Sequence, residues 1–387
     1  MSYTALYRKL RPSNFEEIIG QEHIVKTLKN QINSNRISHA YLFCGTRGTG
    51  KTSTAKVFAK AINCLNLIDG EPCNTCTSCL YEINNNNTDI LEIDAASNNG
   101  VDDIREIREE VNFAPSHSRY KVYIIDEVHM LSINACNALL KTLEEPPGHV
   151  VFILATTDPQ KLPPTILSRC QRFDFKRITK ETMSITLLKY MNTEKEKITT
   201  DAINYICELS DGAMRDALSI LDQALSFYFD EEITLDKIVD LIGSVNKSTF
   251  INFTKLLNSN NSLECIELIS RLLEDGKDLL QFTDDYIDFL RDLLIIKTSQ
   301  KNKFYLDDYY NELMSINIDV NIIIEYINIF SQAIAELKIS KSKRLTLEII
   351  CIKICNLSEE NTLAGIIKKI ENLEKAPKII QPMQIIK

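Results

Sequence analysis

The sequence predicts an α/β fold: a parallel sheet around a phosphate-binding loop, a four-cysteine module set into it, and all-helical regions after it. Three observations carry this. The apolar run Ala40-Tyr41-Leu42-Phe43-Cys44 ends in the pattern G-x-x-x-x-G-K-T, Gly45 to Thr52. Cysteines follow with the spacing C-x8-C-x2-C-x2-C. Strand-like and helix-like segments then alternate to about residue 178, where helical spacing takes over.

The bulk composition sets the limits. The chain has 387 residues, enough for two or three domains. Hydrophobic residues make up 44% and charged residues 25%, values typical of a globular chain with a sizeable core. The net charge of −9 disfavours broad, charge-driven DNA binding and leaves room for a local positive site. No uninterrupted apolar run approaches the ~20 residues of a membrane span. The start, Met1 to Arg11, lacks the apolar segment of a signal peptide, so the expected compartment is the cytoplasm. Eleven cysteines there point to a metal site plus scattered buried thiols rather than to disulfides.

Residues 1–39 hold a basic start, Pro12, then an amphipathic helix with Ile24, Val25, Leu28 and Ile32 on one side. The strand at 40–44 leads into the loop Gly45-Thr46-Arg47-Gly48-Thr49-Gly50-Lys51-Thr52. Its glycines let successive N–H groups turn inward onto phosphate oxygens. A helix follows at once, with Ala55, Phe58, Ala59 and Ile62 on one face, and adds the positive end of its dipole. Lys51 can reach the β- and γ-phosphates of a nucleotide, and the Thr52 hydroxyl can ligate Mg²⁺. Strand, loop and helix together set this apart from a glycine-rich turn that binds nothing.

Cys73, Cys76 and Cys79 put three thiolates on one tight loop, and Cys64 at the helix end can supply a fourth. Four thiolates suit tetrahedral, structural Zn²⁺. An iron–sulfur cluster or four metal-free thiols are the other readings. The intervening loop has little apolar content, so a bound metal would contribute most of its local folding free energy. The remaining cysteines read as small buried hydrophobes.

After a polar loop at Asn84–Asn87, Ile90 to Asp94 reads as a strand and Val101 to Val111 as a helix. Lys121 to Ile125 is a buried-strand run ending in Asp126 and Glu127, which matches a Walker B element. In parallel with the loop strand, it would let Asp126 hold the Mg²⁺ hydration shell and Glu127 polarise the attacking water. Taken alone, two acids at a strand end are commonly just solvated. A helix with Ala135, Leu139, Leu140 and Leu143 stops at Pro146-Pro147. Val150 to Ala155 is a further buried strand, and Thr157 at its end can cap it or bond a γ-phosphate. A short strand covers Arg172 to Phe175. Beyond 178, apolar residues such as Ile203, Ile206, Leu218 and Leu221 recur at helical spacing, with Arg215 near a helix start and a linker at Ile242-Gly243-Ser244.

Together these motifs resemble the gamma/tau subunit of the bacterial DNA polymerase III holoenzyme over roughly residues 1–360. The carriers are Tyr7 to Pro12, His39 to Phe43, the glycine loop, the four cysteines, Ile93 to Ser97, Val122 to Leu131, Leu140 to Pro147, Ala155 to Pro163 and Ile166 to Cys170. The resemblance implies an AAA+ nucleotide domain (1–178, with the zinc module at 64–79), a helical lid (179–243), a helical collar that builds the oligomer (244–374) and a flexible tail (375–387). It implies that Thr157 senses the γ-phosphate and that Arg169 is an arginine finger for a neighbour's site, a role worth ~10³–10⁵ in rate. It implies that Arg215 couples ATP to lid closure, and that Tyr7, Arg11, Pro12, Ile19 and Met214 wall the adenine. The implied activity is ATP-driven loading of a sliding clamp onto primed DNA, with ATP, Mg²⁺ and Zn²⁺ as cofactors. The implied partners are delta, delta-prime, further gamma/tau copies, the clamp and primer-template DNA, with no polymerase site of the chain's own. One departure is the loop Ser97-Asn98-Asn99-Gly100, neutral where the family faces DNA backbone. The longer family form carries further domains for helicase and polymerase contacts, and none is expected within these residues.

Other readings stay open. A branch-migration motor shares the nucleotide motifs but would not be expected to carry the cysteine module. A non-catalytic clamp-loader scaffold would have a degenerate loop, whereas Lys51, Thr52, Asp126 and Glu127 are all present. A zinc-dependent nucleic-acid module would lose DNA binding first when metal is removed.

Overall fold

A computed structural model describes residues 5–83, 88–243, 245, 247–298, 313, 314 and 316–360. The polar loop at 84–87 and the tail at 375–387 lie outside the described residues. The chain divides into two compact units, Met1–Ile238 and Val239–Lys387.

The first unit is built on five parallel strands: β1 (Ala40–Cys44), β2 (Ile90–Asp94), β3 (Lys121–Asp126), β4 (Val150–Thr156) and β5 (Gln171–Asp174). Their order in the sheet is β2-β3-β4-β1-β5. The three central strands are continuous apolar runs because helices cover both faces of a parallel sheet. All of β1 and β4 is buried, and so is β3 up to Ile125. Register carries the chain exits to one edge, with Cys44 opposite Thr156 and Asp94 opposite Asp126.

One face is covered by α2 (Glu22–Asn33) and α3 (Lys51–Ile62), which bring Ile24, Leu28, Ala55, Phe58 and Ile62 onto Phe43, Ile124 and Ile153. The other is covered by α5 (Val101–Glu110) and α6 (Ile133–Glu144), which bring Ile104, Leu139 and Leu143 onto Leu42, Tyr123 and Leu154. Ser132 starts α6 by accepting the Ala135 N–H at 3.2 Å. Short helix α1 (Leu6–Lys9) precedes α2, and α4 (Thr77–Ile83) and α7 (Pro164–Leu167) sit in connections between strands.

Four helices follow the sheet: α8 (Lys180–Glu194), α9 (Thr200–Leu209), α10 (Met214–Phe227) and α11 (Leu235–Ile242). Ile203, Ile206, Leu218 and Leu221 are buried among them, as helical spacing predicts. α1 packs against α10, so the N-terminal segment reaches the helical part. The α/β sheet followed by all-helical segments is the fold class predicted.

The second unit contains α12 (Lys247–Asn258), α13 (Ser262–Glu274), α14 (Leu279–Thr298), α15 (Val320–Ile339) and α16 (Lys343–Glu360). Its centre is an aromatic cluster of Phe250, Phe253, Phe282, Tyr286, Phe289 and Phe330. The buried Tyr286 hydroxyl bonds the Thr254 hydroxyl at 3.0 Å. By length and composition alone α15 is apolar enough to cross a membrane. Its Ile323, Tyr326, Phe330, Ala333 and Leu337 instead face this core, and Asn321, Glu325, Gln332 and Glu336 interrupt it.

Candidate functional site

The loop between β1 and α3 closes over the carboxyl edge of the sheet. Two of its glycines are needed by close approach as well as by backbone angle. At Gly45 (φ +152°) an added Cβ would lie 2.7 Å from the Phe175 carbonyl oxygen, and at Gly48 (φ +78°) 2.7 Å from the Ala213 Cβ. The second contact brings the residue before α10 directly onto the loop. Gln21, fully buried, ties the same region together. Its amide donates to the Lys176 carbonyl at 2.7 Å and accepts the Lys176 N–H at 3.2 Å.

Lys51 is 6% exposed and folds back onto the loop, donating to the carbonyls of Gly45 and Thr46, both at 2.9 Å. Burial pushes its ammonium below the ordinary lysine range, and the nearby Glu127 and Asp126 oppose that. The ammonium is therefore held in the cradle by two neutral acceptors that a phosphate oxygen can displace. The Thr52 hydroxyl donates to Asp126 Oδ2 at 2.6 Å. These are the hydroxyl and carboxylate that a hydrated Mg²⁺ takes as partners, so the donor set fits that ion.

Glu127, the residue after β3, has a left-handed backbone (φ +47°). Its Oε2 accepts the Thr157 N–H at 3.2 Å and the Thr157 hydroxyl at 2.9 Å, with His129 Nδ1 at 3.4 Å. Its Oε1 takes no hydrogen bond from the described residues. His129 also meets the Thr156 hydroxyl at 2.9 Å. Thr157 is thus a direct partner of Glu127, which spacing in the chain did not reveal.

A cleft of about 890 Å³ opens beside these groups. Arg47, Gly48, Thr49, Gly50, Lys51, Thr52, Asp126 and Glu127 line one side. Tyr7, Arg11, Pro12, Ile19, Met214 and Arg215 also line it, so all five predicted adenine-wall residues share the cleft with the loop. The Arg215 guanidinium lies 5.2 Å from the centre of the Tyr7 ring, a cation–π contact from α10 to the N-terminal segment. Gly45, Thr46, Thr157 and Arg169 do not line the cleft. Arg169, after α7, is at the surface and donates to Glu144 Oε1 at 2.6 Å and the Thr165 carbonyl at 2.9 Å.

Sequence reasoning did not assign Asp94, Glu92, Ile178, Tyr190 or Leu218 to this cleft. Asp94 had a usable signal, since it ends a strand-like run at the same edge as Asp126. Tyr190 and Leu218 had none, because only the packing of α8 and α10 brings them there.

The four predicted cysteines converge. The sulfurs of Cys64, Cys73, Cys76 and Cys79 all lie within 4.8 Å of one another. Tetrahedral Zn²⁺ with Zn–S of ~2.3 Å needs sulfurs ~3.8 Å apart, so a small inward shift completes the site. Cys76 N–H donates to Cys73 Sγ and Cys73 N–H to Cys64 Sγ, both at 3.3 Å. Hydrogen bonds from the Thr75 backbone and hydroxyl pull the Cys73 thiol down to about 6, while burial pushes Cys79 up. An all-thiol donor set with N–H···S bonds fits a closed structural zinc site.

Comparison with known proteins covers the chain from sheet to last helices. Family models match at residues 20–179 (DNA polymerase III, delta subunit), 184–228 (DNA polymerase III clamp loader subunit, ATPase lid domain) and 233–370 (DNA polymerase III subunits gamma and tau domain III). The chain is 46% identical to DNA polymerase III subunit tau of Bacillus subtilis over 97% of its own length and 68% of the relative's. It is 37% identical to DNA polymerase III subunit gamma of Buchnera aphidicola over 91% of its length and 98% of the relative's. Among solved structures, the Thermotoga maritima RuvB branch-migration motor aligns with a TM-score of 0.46 at 18% identity, over 64% of this chain and 79% of that one. With identity this high to subunits covered over two thirds or more of their length, the chain belongs to the DNA polymerase III gamma/tau family of clamp-loader subunits.

Proposed function

We propose that this chain is an ATP-hydrolysing motor subunit of a clamp loader, one that opens a sliding clamp and loads it onto primed DNA. The observation that carries the reading is the run Thr52–Asp126–Glu127–Thr157, joined by hydrogen bonds of 2.6–3.2 Å at the edge of the glycine-loop cleft. The roles follow from chemistry. Backbone N–H groups from Thr46 to Thr52 and the Lys51 ammonium receive the phosphates. Thr52 and Asp126 would hold Mg²⁺, which would supply charge neutralisation for the phosphates. Glu127 orients and deprotonates the attacking water through Oε1, its other oxygen being held by Thr157. Thr157 thereby links the presence of a γ-phosphate to the position of the base. Arg215 reports nucleotide to the helical lid, and Tyr7, Arg11, Pro12, Ile19 and Met214 wall the base.

Arg169 lies outside the chain's own cleft, which supports a role in a neighbouring subunit's site, where it would neutralise transition-state charge. The four cysteines hold zinc that braces the module after α3. On this reading residues 1–178 are the nucleotide domain, 179–243 the lid and 244–374 the collar. The chain works in the cytoplasm with delta, delta-prime and further copies of itself, on clamp and primer-template DNA. The test is ATP turnover with and without clamp, partner subunits and primed DNA. Strong stimulation by all three together is expected; ATP-driven strand unwinding with no response to clamp would refute the assignment.

A further inference from the structure

We propose that Glu144 is a positioning residue for Arg169, fixing the guanidinium between the ends of α6 and α7 so that it enters a neighbour's ATP site already oriented. The inference rests on the in-trans role proposed above for Arg169 and adds a residue that role does not contain.

The geometry is a three-point hold. Arg169 Nη1 donates to the Thr165 carbonyl at 2.9 Å and the Ser168 hydroxyl at 3.3 Å, and Nη2 donates to Glu144 Oε1 at 2.6 Å. Three of the five guanidinium donors are used. Nε–H and the second Nη2 hydrogen have no partner among the described residues, and they remain to meet phosphoryl oxygens. The frame behind the hold is rigid. Glu144 is the last residue of α6, where Pro146 and Pro147 forbid further helix. Arg169 follows α7, which opens on Pro163 and Pro164 and packs on α6, with Ile166 and Leu143 buried in one hydrophobic cluster.

An ordinary surface ion pair is the plainer reading; exposure alone does not separate the two, and the position of Glu144 on the helix does. The side chains are 32% and 50% exposed, and such pairs contribute little to stability. An acid at a helix C-terminus also faces the negative end of the dipole, so this position disfavours Glu for α6 itself. A carboxylate that does little for the fold, placed on the cation proposed to act in trans, is accounted for by orientation. Prepaid orientation acts on turnover and leaves ground-state nucleotide binding alone.

The experiment uses the assembled clamp loader with Glu144→Ala, Glu144→Asp, Arg169→Ala and the Glu144→Ala/Arg169→Ala double variant. Glu144→Ala is expected to lower kcat about tenfold with KM for ATP and the melting temperature unchanged. Glu144→Asp should recover part of the loss, and the double variant should be no slower than Arg169→Ala alone. Wild-type kcat in Glu144→Ala, a rise in KM in place of the fall in kcat, or losses that multiply in the double variant would each overturn the positioning role while leaving Arg169 as the finger. Wild-type kcat in Arg169→Ala would overturn both readings.

Discussion

Lys51 shows how a single residue is readable in kind and unreadable in posture. Its place after Gly50 predicts a phosphate-binding lysine, but only the structure shows it resting on the Gly45 and Thr46 carbonyls. Lys51→Ala removes a charge-assisted partner of the phosphates and is expected to weaken ATP binding about 100-fold, read by nucleotide titration. Unchanged turnover in that variant would refute the loop assignment. Thr157 makes the complementary point. Its position at the end of β4 was legible, whereas its bond to Glu127 depends on β3 and β4 lying side by side, which no local pattern specifies.

Two elements carry stability arguments of their own. In the cysteine module, exposed Leu65, Leu67 and Ile68 leave little local core, so a metal bound by the four thiols would do the holding. One zinc per chain is expected by elemental analysis. Cys73→Ser with Cys76→Ser should abolish it and speed amide exchange across 64–83, while nucleotide affinity changes less than ~3-fold because the sheet is intact. Metal content unaffected by that double substitution would contradict the site. The cysteine spacing announced the convergence of the four sulfurs.

The second is the segment before β3, anchored by Asp89, which is 1% exposed. Its carboxylate accepts the N–H groups of Ser116, His117 and Ser118 at 2.7, 2.8 and 2.9 Å. Burial alone would raise its pKa, but these bonds outweigh it and hold the carboxyl below the usual range. The folded value lies below the unfolded one of ~3.9, so the stabilisation is present above that pH and is lost as pH falls through the folded value. Asp89→Ala should cost about 3 kcal/mol in urea unfolding at pH 7, and less in acid. An equal cost at pH 7 and in acid would show that the charge is not responsible. Nothing in the sequence around Asp89 marked it, because its partners lie 27–29 residues away.

At the scale of the molecule, the alternation of apolar runs with helical spacing was enough to read a parallel sheet with helices after it. The strand order was not readable, since it follows from which helices cover which face. For the same reason the far wall of the cleft was only partly foreseen. Tyr7 and Arg215 are distant in the chain and meet because α1 packs on α10. Arg169 is the residue that most changes how the whole works. It stands on the surface, away from its own chain's cleft, so the nucleotide site is proposed to be complete only between two subunits.

Mixing variant subunits tests this most directly. A Lys51→Ala chain would supply the proposed finger but bind ATP only weakly, and an Arg169→Ala chain would bind ATP but supply no finger. Clamp loaders assembled from both together should hydrolyse ATP faster than assemblies of either alone, because a Lys51→Ala chain can complete an Arg169→Ala neighbour's site. Turnover in the mixture no higher than the average of the two pure assemblies would contradict a site shared between subunits.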